Sequence, residues 1–382
     1  MDYLLNLIGG NLNQQQMDFV EYPADVQNFI KKSLDCIDYV YDNHAHLCGL
    51  DDGKELYINP IFESNMFRRF HMNVFKRASG INHDADEAEQ SVLYVGRLQS
   101  LLEKINQIVR YKLVLLPMDY YYENGEISKE KTAIRCSDKY VYDIYSKNKE
   151  LFMPAVSIHP ERHDAINKLV EANCRGIKLV KWLPNSMNID PSNKKYGDYY
   201  DTLVKLNMKL LVHIGEEHSV NCGHLNQQLG NPMLLEYPLR LGVKIIGAHC
   251  GSEGYSVVDG KKVENYKLLF HLMDKYDNLY TDISAMLAFK RAGKPLEDAL
   301  DNVRLHHRFL YGSDYPVPCI NAIISTKLLW WYGYITYHEH TMLNTIYINN
   351  PLLFNLITFR TLKSKNGNKF SDEIFKKSFE DL

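Results

Sequence analysis

The sequence predicts an α/β protein folded as a (β/α)8 TIM barrel with long loops on its carboxyl-terminal face. Eight short runs rich in Val, Ile, Leu and Tyr end in Gly, Pro, Asp or Ser, as buried parallel strands tend to do. Longer segments with a helical spacing of apolar residues alternate with these runs, and this alternation indicates a parallel sheet. The length of 382 residues is normal for such a barrel with insertions.

The eight predicted strands follow one another along most of the chain. They cover residues 37–47, 111–120, 151–160, 175–182, 208–215, 243–250, 278–284 and 308–316. The predicted helices between them include 87–109 and 160–174. An open doubly wound sheet is the alternative, but no glycine-rich phosphate loop follows the first strand. We therefore expect one barrel domain over residues 1–360, followed by a peripheral charged tail over 361–382.

Two predicted connections are much longer than the rest. Residues 48–86 follow the first strand, and residues 216–235 follow the fifth. Both leave from the carboxyl ends of strands, which form the functional face of a barrel. Long loops at this face commonly form lids or substrate walls.

Composition and charge exclude several classes of protein. The net charge of −3 gives no general attraction to nucleic acid or to an anionic membrane. No apolar run approaches the roughly 18 residues of a spanning helix, and the N-terminus lacks the basic region of a signal peptide. The seven cysteines form no CxxC pair, which argues against a disulfide framework and predicts a cytoplasmic protein.

Histidines and one aspartate stand at the ends of the predicted strands. His44 and His46 are two apart, so they face the same side of the first strand. The fifth, sixth and eighth strands end in His213, His249 and Asp314. An HxH pair alone is a weak signal, and an Asp after a strand usually caps a turn or helix. Five such residues around one barrel axis nevertheless predict a site for Zn²⁺ or a related divalent ion.

Four motifs resemble the metal motifs of the amidohydrolase superfamily: DNHAHL, VHIGE, GAHCG and YGSDYP. The most similar branch includes aminocarboxymuconate-semialdehyde decarboxylase, and the resemblance spans about residues 37–355. It implies a barrel with one or two divalent ions, of which we expect one, most simply Zn²⁺. It implies that His44, His46, His213 and Asp314 are metal ligands. It also implies that His249 is a catalytic histidine or a second-metal ligand, and that Asp314 accepts a proton from metal-bound water.

The chemistry of these residue types agrees with the resemblance. A divalent ion lowers the pKa of a bound water towards about 7. A carboxylate near that water can accept its proton and return it to a leaving group. A histidine on the other side can polarise a carbonyl group or stabilise an oxyanion.

Strand 4 departs from the family pattern, because GIKLVKW stands where Gly-Val/Ile-Lys-Leu-His-Pro is frequent. We expect Lys178 to face the lumen. There it would hold a substrate carboxylate, or bridge two metal ions as a carbamate. A lysine that reaches water or pairs with an acid is the alternative.

Three further residues are candidates for substrate binding. Arg68 could clamp a carboxylate, although a solvated charge is the alternative. His159 could line the pocket, or it could have a structural role at the start of the next helix. Trp182 could form a pocket wall or simply pack in the core. Asp282 could point into the barrel or cap the next helix.

These residues favour a metal-dependent hydrolase that acts on an amide, lactone or ester bond of a small organic acid. A non-oxidative decarboxylase on the same metal site is the first alternative. A barrel that keeps its metal without turnover is the second. The expected partner is a small carboxylic acid derivative rather than nucleic acid or a membrane, and assembly into a homo-oligomer stays open.

Overall fold

Eight parallel strands surround one axis in the computed structural model, which describes residues 16–47, 54–81 and 87–382. Seven of the strands fall within the predicted runs, and β2 begins one residue before its run. In chain order they are β1 Tyr39–His46, β2 Arg110–Leu116, β3 Phe152–Pro154, β4 Leu179–Trp182, β5 Lys209–Val212, β6 Ile245–Gly247, β7 Leu279–Asp282 and β8 Phe309–Leu310.

The strands close into a barrel in sequence order. Strands β1 to β3 pair in parallel, and so do β4 to β8. Two parallel bridges join these arcs, between Val156 and Val180 and between Ala45 and Tyr315. Each strand therefore has two neighbours, and the predicted (β/α)8 barrel is confirmed.

Helices cover the outside of the barrel and extend beyond its last strand. The predicted helices at 87–109 and 160–174 are seen with slightly shorter bounds. In chain order the α-helices are α1 Ala24–Ser33, α2 Met66–Ala78, α3 Glu87–Asn106, α4 Asp138–Lys147, α5 Ala165–Cys174, α6 Pro184–Met187, α7 Gly197–Lys205, α8 Glu236–Arg240, α9 Asn265–Lys275, α10 Lys294–Asp301, α11 Thr326–Trp331, α12 Tyr337–Asn349, α13 Pro351–Thr361 and α14 Glu373–Lys376. Among the described residues, none of these helices has the length and hydropathy needed to cross a membrane.

Buried apolar side chains fill the barrel interior, because alternate residues of each strand face the axis. The residues of this interior cluster are Val114, Leu116, Met153, Ala155, Leu179, Leu211, Ile246, Ala248, Leu310 and Phe379. A larger apolar core lies between the strands and the surrounding helices. The polar side chains at the carboxyl ends of the strands thus rest on a packed floor.

The C-terminal tail is part of the core. Phe379 is 1% exposed and belongs to the interior cluster. The Asn43 side chain accepts a hydrogen bond from the backbone of Phe379 at 2.8 Å and donates one to Lys377 O at 2.9 Å. The prediction of a peripheral tail is therefore wrong. The tail was predicted to be peripheral because of its many charged residues. In the structure its apolar side chains pack inward, while the charged side chains stay near water.

The described part of the first long connection forms a wall beside the barrel mouth. Leu56–Ile58 pairs in antiparallel fashion with Ile134–Cys136. Helix α2 follows, and the Asn65 side chain caps it by accepting a bond from Arg68 N. Residues 48–53 and 82–86 of this connection lie outside the described residues.

Candidate metal centre

Three side chains from separate strand ends converge at the carboxyl end of the barrel. One donor atom from each of His44, His249 and Asp314 lies within 4.8 Å of the others. Asp314 Oδ1 is 3.6 Å from His44 Nε2 and 3.5 Å from His46 Nε2. Ligand atoms about 2.0–2.1 Å from a tetrahedral ion are roughly 3.3 Å apart, so these spacings suit one divalent ion.

His213 lies at the edge of this group. Its ring centroid is 5.2 Å from that of His249, which is 4.8 Å from that of His44. His213 Nε2 is buried and makes no hydrogen bond with the described residues, although Glu217 Oε2 lies 3.6 Å away. A buried nitrogen without a partner is costly. A metal ion would satisfy it, and this nitrogen fits the expected ligand role.

The local backbone turns these side chains towards one point. The pairing of β1 with β2 shifts register between Asp42 and Ala45, which is where His44 lies. His249 and Asp314 lie two and four residues beyond the ends of β6 and β8, and they have left-handed φ values of 59° and 61°. Non-glycine residues in this region cost free energy and cluster at functional sites.

Asp282 fixes the orientation of two of the histidines. His44 Nδ1 donates to Asp282 Oδ2 at 2.9 Å, so the lone pair of His44 is on Nε2, which faces the site. Asp282 Oδ1 accepts bonds from His249 N at 2.9 Å and from the Ser284 hydroxyl. His249 Nδ1 lies 2.8 Å from Ser284 Oγ. Asp282 therefore points into the barrel, as one of the two readings of the sequence proposed.

Burial keeps the histidines in the neutral form that binds metal. Burial lowers the pKa of His46 and of His213 to about 3, and the nearby Lys181 charge acts in the same direction. The pKa values of His44 and His249 also lie well below the usual range, for the same primary reason. Burial raises the pKa of Asp314, although Arg291 and Lys181 oppose this effect.

Lys181 is the lysine of β4 that faces the site. Its side chain is buried, and its Nζ lies 3.2 Å from His44 Nε2. Burial lowers the pKa of Lys181, while Asp282 and Asp314 oppose this effect. Sequence reasoning treated Lys181 only as a departure from a motif. Alternation with Leu179, which lies in the barrel interior, is the signal that could have found it.

The prediction that Lys178 faces the lumen is wrong. Lys178 precedes β4, at the amino end of the barrel. Its ammonium group donates to the Asn173 side chain and to Leu206 O, the latter at 3.0 Å. The reason is strand parity, because Leu179 and Lys181 take the inward positions.

Trp182 packs away from the site, so its predicted role as a pocket wall is wrong. Its indole contacts the rings of Tyr196, Tyr199 and Tyr200, and its Nε1 donates to Ile158 O at 3.0 Å. The strand alternation that turns Lys181 inward turns Trp182 outward.

His159 also lies outside the cavity, contrary to its predicted role as a pocket residue. Its Nε2 donates to Met187 O at 2.9 Å, and its ring stacks on Tyr122. Its Nδ1 accepts a bond from Glu161 N at 3.1 Å. These contacts satisfy both ring nitrogens, one from the loop that follows β3 and the other from the end of α6.

A cavity of about 400 Å³ opens above the converging side chains. His46, His213, His249 and Asp314 line its floor, and Arg68 and Arg291 contribute cations. Most of the remaining wall is apolar and comes from α2, the strand beside it and the segment after β8. The apolar lining residues are Ile58, Phe62, Phe67, Met72, Phe75, Met118, Ile134, Leu183, Val220, Pro316, Val317, Ile320 and Ile323.

The protein is a closed (β/α)8 barrel with histidines and an aspartate at the carboxyl ends of its strands. This combination is typical of barrels that bind a divalent ion. Within that class the chain belongs to the amidohydrolase family. The sequence model of the family described as Amidohydrolase matches residues 127–322. No curated protein matches the chain.

Solved structures resemble the chain at low sequence identity. An uncharacterised TIM-barrel protein from Bordetella bronchiseptica has a TM-score of 0.50 and 14% identity, covering 84% of this chain and 99% of that one. A probable 2-pyrone-4,6-dicarboxylic acid hydrolase from Acinetobacter baumannii has a TM-score of 0.42 and 13% identity, covering 83% and 95%. The 5-carboxyvanillate decarboxylase of Sphingomonas paucimobilis has a TM-score of 0.48 and 9% identity, covering 89% and 100%. The first of these likenesses supports the barrel fold.

Proposed function

We propose that the protein is a metal-dependent hydrolase that uses an activated water on an amide, lactone or ester bond of a small organic acid. One observation carries the proposal: His249 and Asp314, which converge with the buried His44, lie at the floor of a largely apolar cavity. Such a cavity excludes water from a substrate while its floor supplies the reacting groups.

His44, His46, His213 and Asp314 would hold the ion. Three neutral imidazoles and one carboxylate suit Zn²⁺, although Mn²⁺ and other divalent ions accept related ligands. A single ion is favoured by the Lys181 ammonium beside His44, since a second cation there would be repelled. A carbamate on Lys181 would reverse this argument, because it would add an anionic ligand in place of a cation.

The residues of the chain supply the proton transfers and the positioning. When bound, a divalent ion would lower the pKa of a water molecule and polarise a carbonyl group. Asp314 would accept the proton of the attacking water and return it to the leaving group. His249 would stabilise the charge that develops on the carbonyl oxygen. Asp282 would hold the His44 ring directly, and it would position His249 through the backbone N–H of that residue and through Ser284, which contacts the His249 ring.

The experiment compares the wild type with Asp314→Asn, both loaded with Zn²⁺ and analysed for metal content. The substrates are a panel of lactones, esters and amides of small organic acids, together with carboxylated aromatic acids. We expect hydrolysis by the wild type, and a kcat at least about 100-fold lower in the variant, because asparagine cannot accept the proton. Asp198→Asn, on an exposed part of α7, is the control and keeps full activity.

Other outcomes decide between the alternatives. Release of CO₂ from the carboxylated acids without hydrolysis would support the decarboxylase. Tight metal binding without turnover of any substrate would support the non-catalytic barrel. Near-full activity of metal-loaded Asp314→Asn would remove Asp314 from its proposed role.

A further inference from the structure

Arg291 brings a buried positive charge to the cavity outside the set of proposed metal ligands. It lies on the connection from β7 to α10, and its side chain is only 12% exposed. The residue lines the same cavity as His249 and Asp314. It also lies near enough to oppose the rise in the pKa of Asp314.

One side of the guanidinium group is already paired. Arg291 Nε donates to Glu253 Oε2 at 2.9 Å. The other carboxylate oxygen of Glu253 lies 3.4 Å from His218 Nε2 and 3.7 Å from Lys290 Nζ. Glu253 therefore holds the arginine in one orientation before any ligand arrives.

A different nitrogen of the same group has no partner. Arg291 Nη1 is buried and makes no hydrogen bond with the described residues. A buried charged donor without an acceptor lowers the stability of the folded protein. A role limited to pairing with Glu253 leaves this cost uncompensated, whereas an anionic ligand in the cavity would offset it.

The cavity indicates what kind of anion fits. A guanidinium group presents its N–H donors in a planar fork that matches a carboxylate. The walls above are lined by aromatic and aliphatic side chains, among them Phe62, Phe75 and Ile323. A ligand that satisfies both regions has an apolar body and one carboxylate at its inner end.

We propose that Arg291 binds the carboxylate of an aromatic or long aliphatic acid whose apolar body lies against α2 and the Val317–Ile323 segment. As a statement about substrate, this inference rests on the proposed function. The anion site itself depends on Arg291 rather than on the ion, so it can be tested without metal or turnover.

The test is calorimetric binding of hydrocinnamate and of its neutral amide, hydrocinnamamide, to protein freed of metal and checked by elemental analysis. We expect the wild type to bind the acid at least tenfold more tightly than the amide. Arg291→Met should remove this preference. Lys290→Met is the matched control, because it removes an exposed cation that also faces Glu253, and it should keep the preference.

Folding of each variant is checked by thermal unfolding. If Arg291→Met does not fold, Arg291→Lys is used, since it keeps the charge beside Glu253 but loses the fork; it should bind the acid at least fivefold more weakly. Equal binding of acid and amide by the wild type, or an unchanged preference in the folded Arg291 variant, would overturn the inference. Lack of turnover with an intact preference would count against the proposed function alone.

Discussion

Lys181 and His44 form the closest contact between a cation and a proposed metal ligand. The distance of 3.2 Å from Lys181 Nζ to His44 Nε2 means that an ion at this nitrogen would lie beside an ammonium group. At such short range, like charges repel by about 4 kcal/mol even at an effective dielectric constant near 20. The lysine therefore weakens the site for metal, unless it is converted to an anionic carbamate.

We predict that Lys181→Met keeps one metal ion and binds it at least tenfold more tightly, because the repulsion is removed. Competition with a chelator measures the affinity, and intact-mass analysis of the wild type reports any carbamate. Lys209→Met, a buried lysine at the start of β5, is the control and should leave metal affinity unchanged. Loss of metal from Lys181→Met would instead identify Lys181 as a ligand, and the single-ion account would fail.

His159 provides a pH dependence that is separate from the metal centre. Burial lowers its pKa from 6.5 to about 3. Between these values the unfolded chain binds a proton that the folded protein does not, so folded stability falls as pH falls. The stability associated with a neutral, buried His159 is fully present above pH 6.5 and is lost as the pH approaches about 3.

We predict that His159→Gln loses less stability than the wild type when metal-free protein is taken from about pH 7 to about pH 4, by about 3 kcal/mol. Glutamine keeps a donor for Met187 O and an acceptor for Glu161 N. Urea unfolding at both pH values measures the difference. His163→Gln, at an exposed position, serves as the control. An equal acid-induced loss in His159→Gln and the wild type would contradict the account.

The histidines and Asp314 could be predicted from the sequence because each lies near the carboxyl end of a predicted strand run. Arg291 could not, since a loop position carries no periodic signal and its partner Glu253 lies 38 residues away. The choice of Lys178 over Lys181 followed a motif, whereas the side of a strand is decided by alternation. Only the register of β4 in the barrel shows which alternating set faces inward.

At the scale of elements, the end of β8 must pass very close to β1. A Cβ added at Gly312 would lie 2.7 Å from His44 Cβ and 3.1 Å from Ser284 Cβ. Both neighbours belong to well-packed segments at the metal centre. The glycine therefore allows the close approach that sets the distance between Asp314 and His44.

We predict that Gly312→Ala folds but binds divalent metal at least tenfold more weakly, because the new methyl group displaces His44. Metal titration of chelator-treated protein measures the change. Gly96→Ala on α3 is the control, since a Cβ there meets nothing within 4 Å. Unchanged metal affinity in Gly312→Ala would contradict the prediction, because it would show that the site accommodates the added methyl group.

The strands were predictable as elements because parallel strands buried on both faces are continuous apolar runs. The residues at which the strands end could not be predicted in the same way. The last run was predicted over 308–316, but hydrogen-bonded strand β8 covers only Phe309–Leu310. The chain turns towards the site at Asp314, whose left-handed backbone ends the extended conformation. Helix α2 and the strand at Leu56–Ile58 were not predicted, although the apolar residues of α2 do recur with helical spacing, because the whole connection was read as a loop.

At the scale of the whole molecule, the C-terminal tail closes the amino end of the barrel. Besides Phe379 in the interior, Phe370, Ile374 and Phe375 are buried. Backbone of the tail also bonds to the last strand, from Tyr311 N to Ile374 O at 2.9 Å. The tail thereby joins β1, which contains His44, and β8, which leads to Asp314.

We predict that Phe379→Ala lowers the free energy of unfolding by about 3–5 kcal/mol, the usual cost of removing a buried phenylalanine ring. Denaturant unfolding measures it. Val257→Ala, at a position that is 68% exposed, is the control and should change stability by about 0.5 kcal/mol or less. A comparably small effect of Phe379→Ala would mean that the tail does not contribute to the barrel core in solution.

The central claim is that the strand ends hold a divalent ion between His44 and Asp314. The most direct test is anomalous diffraction at metal absorption edges, from crystals of protein purified without chelator. The account predicts one anomalous peak at the cavity floor, about 2.0–2.2 Å from histidine nitrogens and from an Asp314 oxygen. A floor without an anomalous peak after reconstitution with Zn²⁺ and with Mn²⁺, or an ion bound only elsewhere, would contradict it.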